Sequence, residues 1–207
     1  INDVDIFAID ISKASLAYAK RKTDQYKIQN IKYFEIDLLN IDLLKESFDM
    51  IICTGVLHHM EKPLEGLKSL CKVLKPNGFM KLGLYSTIAR SSIKELRNEI
   101  KKLDLDFNKK NMSKIRKKIL NSENNKIKIL SKFPDFYSTS GFRDLIFNKI
   151  EHTFNPIEIE NIIFKQNLKF LGFDIFSSHM QRFKVFYPSY NSELSLENWN
   201  HFEMSFP

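Results

Sequence analysis

Val4-Asp5-Ile6-Phe7-Ala8-Ile9-Asp10-Ile11-Ser12 begins as an apolar run, ends that run on an acid and continues at once into a residue that caps helices. A short apolar run of this kind is the pattern of a parallel strand buried on both faces, here residues 4–10. Ser12 then reads as an N-cap. Ala14, Leu16, Ala17, Tyr18 and Ala19 supply helix formers and an apolar face, and Lys20-Arg21-Lys22 place positive charge at the helix end that favours it.

The strand-then-helix unit repeats. Ile31 to Asp37 reads as a second strand ending in an acid, and Phe48-Asp49-Met50-Ile51-Ile52-Cys53-Thr54 as a third, more continuously apolar one. Pro63 suits a first helical turn, after which Leu64, Leu67, Leu70, Cys71 and Leu74 recur at helical spacing until Lys75-Pro76-Asn77-Gly78 breaks the pattern. A fourth strand is expected at 79–85. Strands alternating with amphipathic helices predict a doubly wound α/β sheet that binds its ligand beyond the carboxyl ends of the strands.

After Ser86 the texture changes. Residues 88–130 carry helical periodicity and many charges but no strand-like run, so an all-helical insertion is expected, with helices near 88–103 and 111–121 and a short one at 142–148. Asn155-Pro156-Ile157-Glu158 has the residues of a capping box. Leu168 to Phe176 reads as a return to the sheet with a bend at Gly172, and 177–207 as short helices over aromatic residues. The organisation expected is 1–86 as an incomplete cofactor-binding core, 87–150 as a helical cap, and 151–207 as a return to the core with a helical end.

Composition bounds the rest. With 207 residues and 43% hydrophobic content the chain can bury one sizeable core. No apolar stretch approaches the roughly 20 residues that span a bilayer, and no signal-peptide pattern opens the chain, so a cytoplasmic protein without membrane association is expected. Two cysteines offer neither a disulfide framework nor ligand spacing. The net charge of +7 includes a basic run at Lys109, Lys110, Lys114, Arg116, Lys117 and Lys118. That run reads as a solvated face within a bias spread along the chain, and nucleic acid is not expected as a partner.

Two acids at strand ends carry the chemistry. A carboxylate at such a strand tip can accept from both hydroxyls of a ribose, a role open to Asp10, while Asp37 at the next tip could border a base; helix capping is the alternative role for either acid. His58-His59 lacks a spaced third His or Cys, so no metal is expected.

With Asp10-Ile11-Ser12, Leu16 to Ala19, Asp37, Phe48 to Ile52, Gly55-Val56-Leu57-His58-His59 and Leu74 to Gly78 in this order, residues 3–86 resemble class I S-adenosylmethionine-dependent methyltransferases. Gly83 to Ser86 with Ala89-Arg90, Tyr137 to Ser140, Arg143 to Leu145, Glu151-His152 and Phe170 to Phe173 are similar to a bacterial branch of that family, with a helical insertion and sometimes found alongside tetratricopeptide repeats. The resemblance implies S-adenosylmethionine as cofactor. Asp10 would hold the ribose and Ile11 pack on the adenine. Asp37 and Leu38 would border the base, and Thr54, Gly55, Val56 and Leu57 would lie by the methionine portion. His58 and His59 are the catalytic candidates. Tyr85, Arg90, Tyr137, Arg143, Glu151 and His152 are the acceptor-binding candidates, with Arg143 and Glu151 alternatively a structural ion pair.

Against the family pattern, the chain lacks the first strand with its glycine-rich turn, and the last strand. Truncation at both ends is therefore expected, with a gap exposing Ile6, Ile9, Ile51 and Ile52, and with weak cofactor binding and no activity for the chain alone. Methyl transfer to a small molecule or protein is the leading expectation. The alternative is a non-catalytic module, derived from such an enzyme, that binds protein or nucleic acid.

Overall fold

The computed structural model describes residues 4–102 and 107–206 and divides into two compact units, Ile1–Gly83 and Leu84–Pro207. In the first, strand β1 (Ile6–Asp10) leads through helix α1 (Lys13–Gln25) to strand β2 (Ile31–Glu35). The two strands pair in parallel, Ile6 opposite Ile31 and Asp10 opposite Glu35. The expected cap of α1 is present: Ser12 Oγ accepts from the Ser15 N–H at 3.2 Å, satisfying one of the donors a helix start leaves open.

A 3-10 stretch (Leu38–Leu44) carries the chain to β3 (Phe48–Thr54), and a 3-10 turn (Leu57–His59) joins β3 to α2 (Pro63–Val73) and β4 (Leu74–Gly83). Leu67, Leu70 and Val73 form the buried face of α2. Strands β3 and β4 are parallel, but their register jumps from Phe48 opposite Leu74 to Met50 opposite Phe79. The expected break at Lys75 to Gly78 thus lies inside β4. Asn77 takes φ +62°, and a Cβ on Gly78 would stand 2.9 Å from the Lys75 carbonyl, so only glycine fits there without a shift.

Among the described residues the strands make two two-stranded sheets, β1-β2 and β3-β4, in place of one continuous sheet. The rings of Phe7 on β1 and Phe48 on β3 meet edge to face at 5.3 Å. Period-two alternation along β3 buries Ile51 and Cys53 and turns Met50 and Ile52 outward. Of the side chains expected to be exposed, Ile52 is exposed, Ile6 and Ile9 are half-buried, and Ile51 is buried.

The second unit is helical. Helices α3 (Ser91–Lys102), α4 (Lys109–Leu120), α5 (Asn125–Lys128) and α6 (Thr139–Phe147) share one core with two 3-10 turns, built on Ile93, Leu96, Ile115, Ile119, Leu130 and Phe142. Residue 103, where the sequence places the end of α3, lies outside the described residues. Helix α6 starts three residues before the expected 142, because Ser138 Oγ accepts from the Gly141 N–H at 2.9 Å. Helix α7 (Pro156–Lys165) has its capping box: Asn155 Oδ1 accepts from Glu158 N–H and Glu158 Oε2 from Asn155 N–H, both at 2.8 Å.

Residues 168–176 form no strand, which corrects the sequence expectation. Phe170 and Phe173 fold inward, and Phe173 meets the Trp199 ring edge to face at 5.3 Å. Gly172, at φ +127°, breaks the extended run between them. A strand also needs a ladder partner, and among the described residues this segment has none. Helices α8 (Ser177–Phe186) and α9 (Leu196–Ser205) close the unit through Phe183, which stacks on Trp199.

Candidate functional site

The first unit gathers the candidate cofactor residues at the carboxyl ends of its strands. Asp10 ends β1, and its Oδ1 accepts from the Ser12 N–H at 2.8 Å, which turns the carboxylate and leaves its second oxygen available. Ile11 beside it is 70% exposed, an apolar surface open to a planar ligand. Asp37 caps the 3-10 stretch, accepting from the Leu39 N–H at 2.9 Å, with Leu38 half-buried next to it. Asp37 therefore fills the helix-cap role as a matter of geometry.

Thr54 ends β3 and is exposed, as are Gly55 and Val56, while Leu57 is buried. Gly55 takes φ +76°, and an added Cβ would meet nothing within 4 Å, so the turn presents bare backbone to open space. That suits close approach of a ligand. The residues at the ends of β1 and β3, a part-engaged carboxylate and an open glycine turn, fit a cofactor bearing a ribose.

The two histidines differ. His58 is 1% exposed and its Nδ1 lies 3.2 Å from the Gly83 carbonyl oxygen. A carbonyl only accepts, so Nδ1 carries the proton and the ring is tied to the end of β4. His59 is half-buried and its ring packs edge-on against His58 with centres 4.3 Å apart.

In the second unit, the segment after β4 runs beside residues 151–154: Ser86 bridges Phe154 in parallel, and Phe154 N–H donates to the Tyr85 carbonyl at 2.8 Å. This brings Tyr85, Arg90 and Glu151 together. Arg90 forks Glu151, with Nε on Oε1 at 3.0 Å and Nη2 on Oε2 at 2.5 Å, and its guanidinium lies 3.9 Å from the centre of the Tyr85 ring. Arg97 joins the cluster with Nη2 2.9 Å from Glu151 Oε2. All three charged side chains are at most 15% exposed.

Burial pushes the Glu151 carboxyl up, but the hydrogen bonds and charges of Arg90 and Arg97 outweigh it and hold the group below its ordinary range. Burial pulls the Arg97 guanidinium below its ordinary value against the charge of Glu151.

The alternative pairing of Arg143 with Glu151 is not formed. Arg143 is exposed and lies over the Phe107 ring at 5.4 Å, because α6 turns it to the outer side of the helix. Tyr137 is also exposed, and His152 is half-buried beside Glu151 in sequence. Arg97 is absent from the sequence candidates, although its place seven residues after Arg90, two helical turns on, was the available signal. Among the described residues no group of three or more His, Cys, Asp or Glu could hold a metal ion, and no helix is long and apolar enough to cross a membrane.

Residues 2–80 match the family model described as a methyltransferase domain. That segment is similar to methyltransferase domains of class I type. The cofactor of class I methyltransferases is S-adenosylmethionine. An uncharacterized protein of Synechococcus is 35% identical over 97 residues, 46% of this chain and 23% of that protein. The ubiquinone biosynthesis O-methyltransferase of Acinetobacter baumannii is 29% identical over 90 residues, 42% of this chain and 36% of that enzyme. The fold is similar to PKMT2 of Rickettsia typhi, solved alone and in complex with AdoHcy, with TM-scores of 0.67 and 0.65 at 19% and 18% identity. Both alignments cover 96% of this chain and 41% of PKMT2. The chain thus spans less than half the length of these relatives.

Proposed function

We propose that the protein transfers a methyl group from S-adenosylmethionine to an oxygen, nitrogen or carbon nucleophile of a small molecule or a protein. The observation that carries this reading is the Asp10 carboxylate, held by Ser12 at the end of a strand inside the family-matched segment with one oxygen to spare. We assign residues 1–86 to the cofactor, 87–150 to a helical acceptor cap, and 151–207 to the completion of the core.

S-adenosylmethionine, when bound, supplies a methyl group on a positively charged sulfur. Asp10 accepts hydrogen bonds from the ribose hydroxyls, Ile11 covers the adenine, and Asp37 with Leu38 borders the base. Thr54, Gly55, Val56 and Leu57 line the methionine portion, where the open Gly55 turn lets backbone come close. His59 takes the proton from an O–H or N–H acceptor as general base. His58 positions that loop through its bond to Gly83. Glu151 has both oxygens engaged, so its part is to hold Arg90 against Tyr85, and Arg90 and Tyr85 face the acceptor.

The test is titration calorimetry of the whole protein with S-adenosylhomocysteine. One-site binding that weakens in Asp10→Ala supports the reading, and the absence of any binding by the intact protein overturns it.

A further inference from the structure

Residues 101–132 hold eleven Lys or Arg against three acids, a net charge of +8, while the whole chain carries +7. The rest of the chain is therefore close to neutral. This concentration is what the reading of a bias spread along the chain leaves out.

Helix α4 is the centre of the segment and contains no acid. Its inner face, Met112, Ile115 and Ile119, is buried in the helical core. Two of its cations are engaged. Arg116 donates through Nη2 to the Ser138 carbonyl at 2.8 Å and lies over the Phe142 ring, and Lys118 pairs with Glu99 at 2.5 Å. Lys109, Lys110, Lys114 and Lys117 are exposed, and among the described residues none of them pairs with an acid.

Lys110, Lys114 and Lys117 stand on one helical face and line an open depression with Asn111 and Ser113. Lys109 and Lys110 occupy the first turn, where the helix dipole disfavours cations. Mutual repulsion and an adverse dipole are two local costs that no acid among the described residues offsets. A bound polyanion would offset both.

We propose that this face of α4 binds nucleic acid through the phosphate backbone, without reading base sequence. Lysine, serine and asparagine are phosphate-contacting residues, and the lining has no arginine fork or aromatic ring to read or stack on a base. The same lining argues against a protein partner, since protein interfaces deplete lysine and serine and concentrate aromatic residues and arginine. A membrane-surface helix needs a free apolar face, and that of α4 is buried in the core. This inference goes beyond the methyl-transfer reading and does not depend on it.

The experiment is fluorescence anisotropy of a fluorescein-labelled 20-base-pair DNA duplex of arbitrary sequence titrated with the 207-residue chain, from 50 to 200 mM salt. Neutralising about four phosphates gives a log–log salt slope near −3.6, so binding should weaken about a hundredfold over that range and be the same for a scrambled duplex. The variant Lys109→Gln, Lys110→Gln, Lys114→Gln, Lys117→Gln should lose more than tenfold at 50 mM salt, while Lys13→Gln, Lys68→Gln, Lys72→Gln, Lys165→Gln, exposed elsewhere, should lose less than threefold. Lysine acetylation of the unaltered chain, mapped by mass spectrometry, should show Lys110, Lys114 and Lys117 protected by the duplex. No duplex binding at 50 mM salt, equal losses in the two variants, absence of that protection, or binding only to phosphatidylserine vesicles would each overturn the proposal.

Discussion

Arg97 Nη2 donates to Glu151 Oε2 at 2.9 Å, and the same guanidinium donates through Nε to the Leu145 carbonyl at 3.0 Å. That carbonyl belongs to the last turn of α6, where helix geometry leaves acceptors unpaired. One side chain of α3 thus satisfies both a helix end and a buried carboxylate. Removing Glu151 would strand two guanidinium groups that are at most 15% exposed. Glu151→Ala should therefore cost about 3 to 5 kcal/mol, the usual penalty for breaking a buried pair by deleting one partner. Urea denaturation of the full chain measures it. A loss under about 1 kcal/mol would mean that water reaches the arginines.

The same cluster sets a pH dependence. The folded-state carboxyl of Glu151 lies below its ordinary value of 4.5, so the unfolded chain binds its proton at the higher pH. The stability it contributes is fully present above about 4.5 and is lost as pH falls through the lower folded value. Denaturation midpoints measured from pH 6 to pH 3 should fall more steeply for the unaltered protein than for Glu151→Gln. Parallel curves would show that Glu151 does not govern the acid limb.

For Asp10, the geometry defines a subtler contrast. Its Oδ1 serves Ser12 and therefore the start of α1, while the second oxygen is the one proposed to meet the ribose. A hydrogen bond to a charged group is worth roughly 1.5 to 3 kcal/mol, so Asp10→Ala in the whole protein should weaken S-adenosylmethionine about tenfold to a hundredfold. Asp10→Asn keeps an acceptor for Ser12 and should preserve stability while still losing affinity. Calorimetry for binding and thermal unfolding for stability separate the two roles, and unchanged affinity in both variants removes Asp10 from the site.

The local signals that proved legible in the sequence were those that act within a few residues. The Ser12 cap, the Asn155–Glu158 capping box, the Pro63 start of α2 and the apolar run of β3 all appear where periodicity and capping chemistry put them. The failures share a cause, dependence on a distant partner. Residues 168–176 alternate like a strand, but only a neighbouring strand could make them one, and Trp199 takes Phe173 instead. Likewise the sequence offers Arg143 as an ion-pair partner for Glu151 and does not single out Arg97, and only the packing of α3 and α6 shows that Arg97 faces Glu151 while Arg143 faces outward. The strand-end acids could be found from their place after apolar runs, but not the division of Asp10 between backbone and solvent.

His58 and His59 offer the sharpest separation of structure from chemistry, because adjacent residues in one turn have different surroundings. His58 is enclosed and bonded to Gly83, so His58→Ala would leave both a cavity and a carbonyl without its donor, at a cost of about 2 to 5 kcal/mol. His58→Asn, whose side-chain amide can donate from nearly the same place as Nδ1, should recover part of that loss. His59 is only half-buried, so His59→Ala should change stability by about 1 kcal/mol or less. If His59 removes the acceptor's proton, the same substitution should slow methyl transfer by the whole protein about a hundredfold or more at unchanged cofactor affinity. Thermal unfolding, calorimetry with S-adenosylhomocysteine and transfer of a radiolabelled methyl group give the three readouts. Loss of stability in His59→Ala as large as in His58→Ala would make both histidines structural and move the base elsewhere.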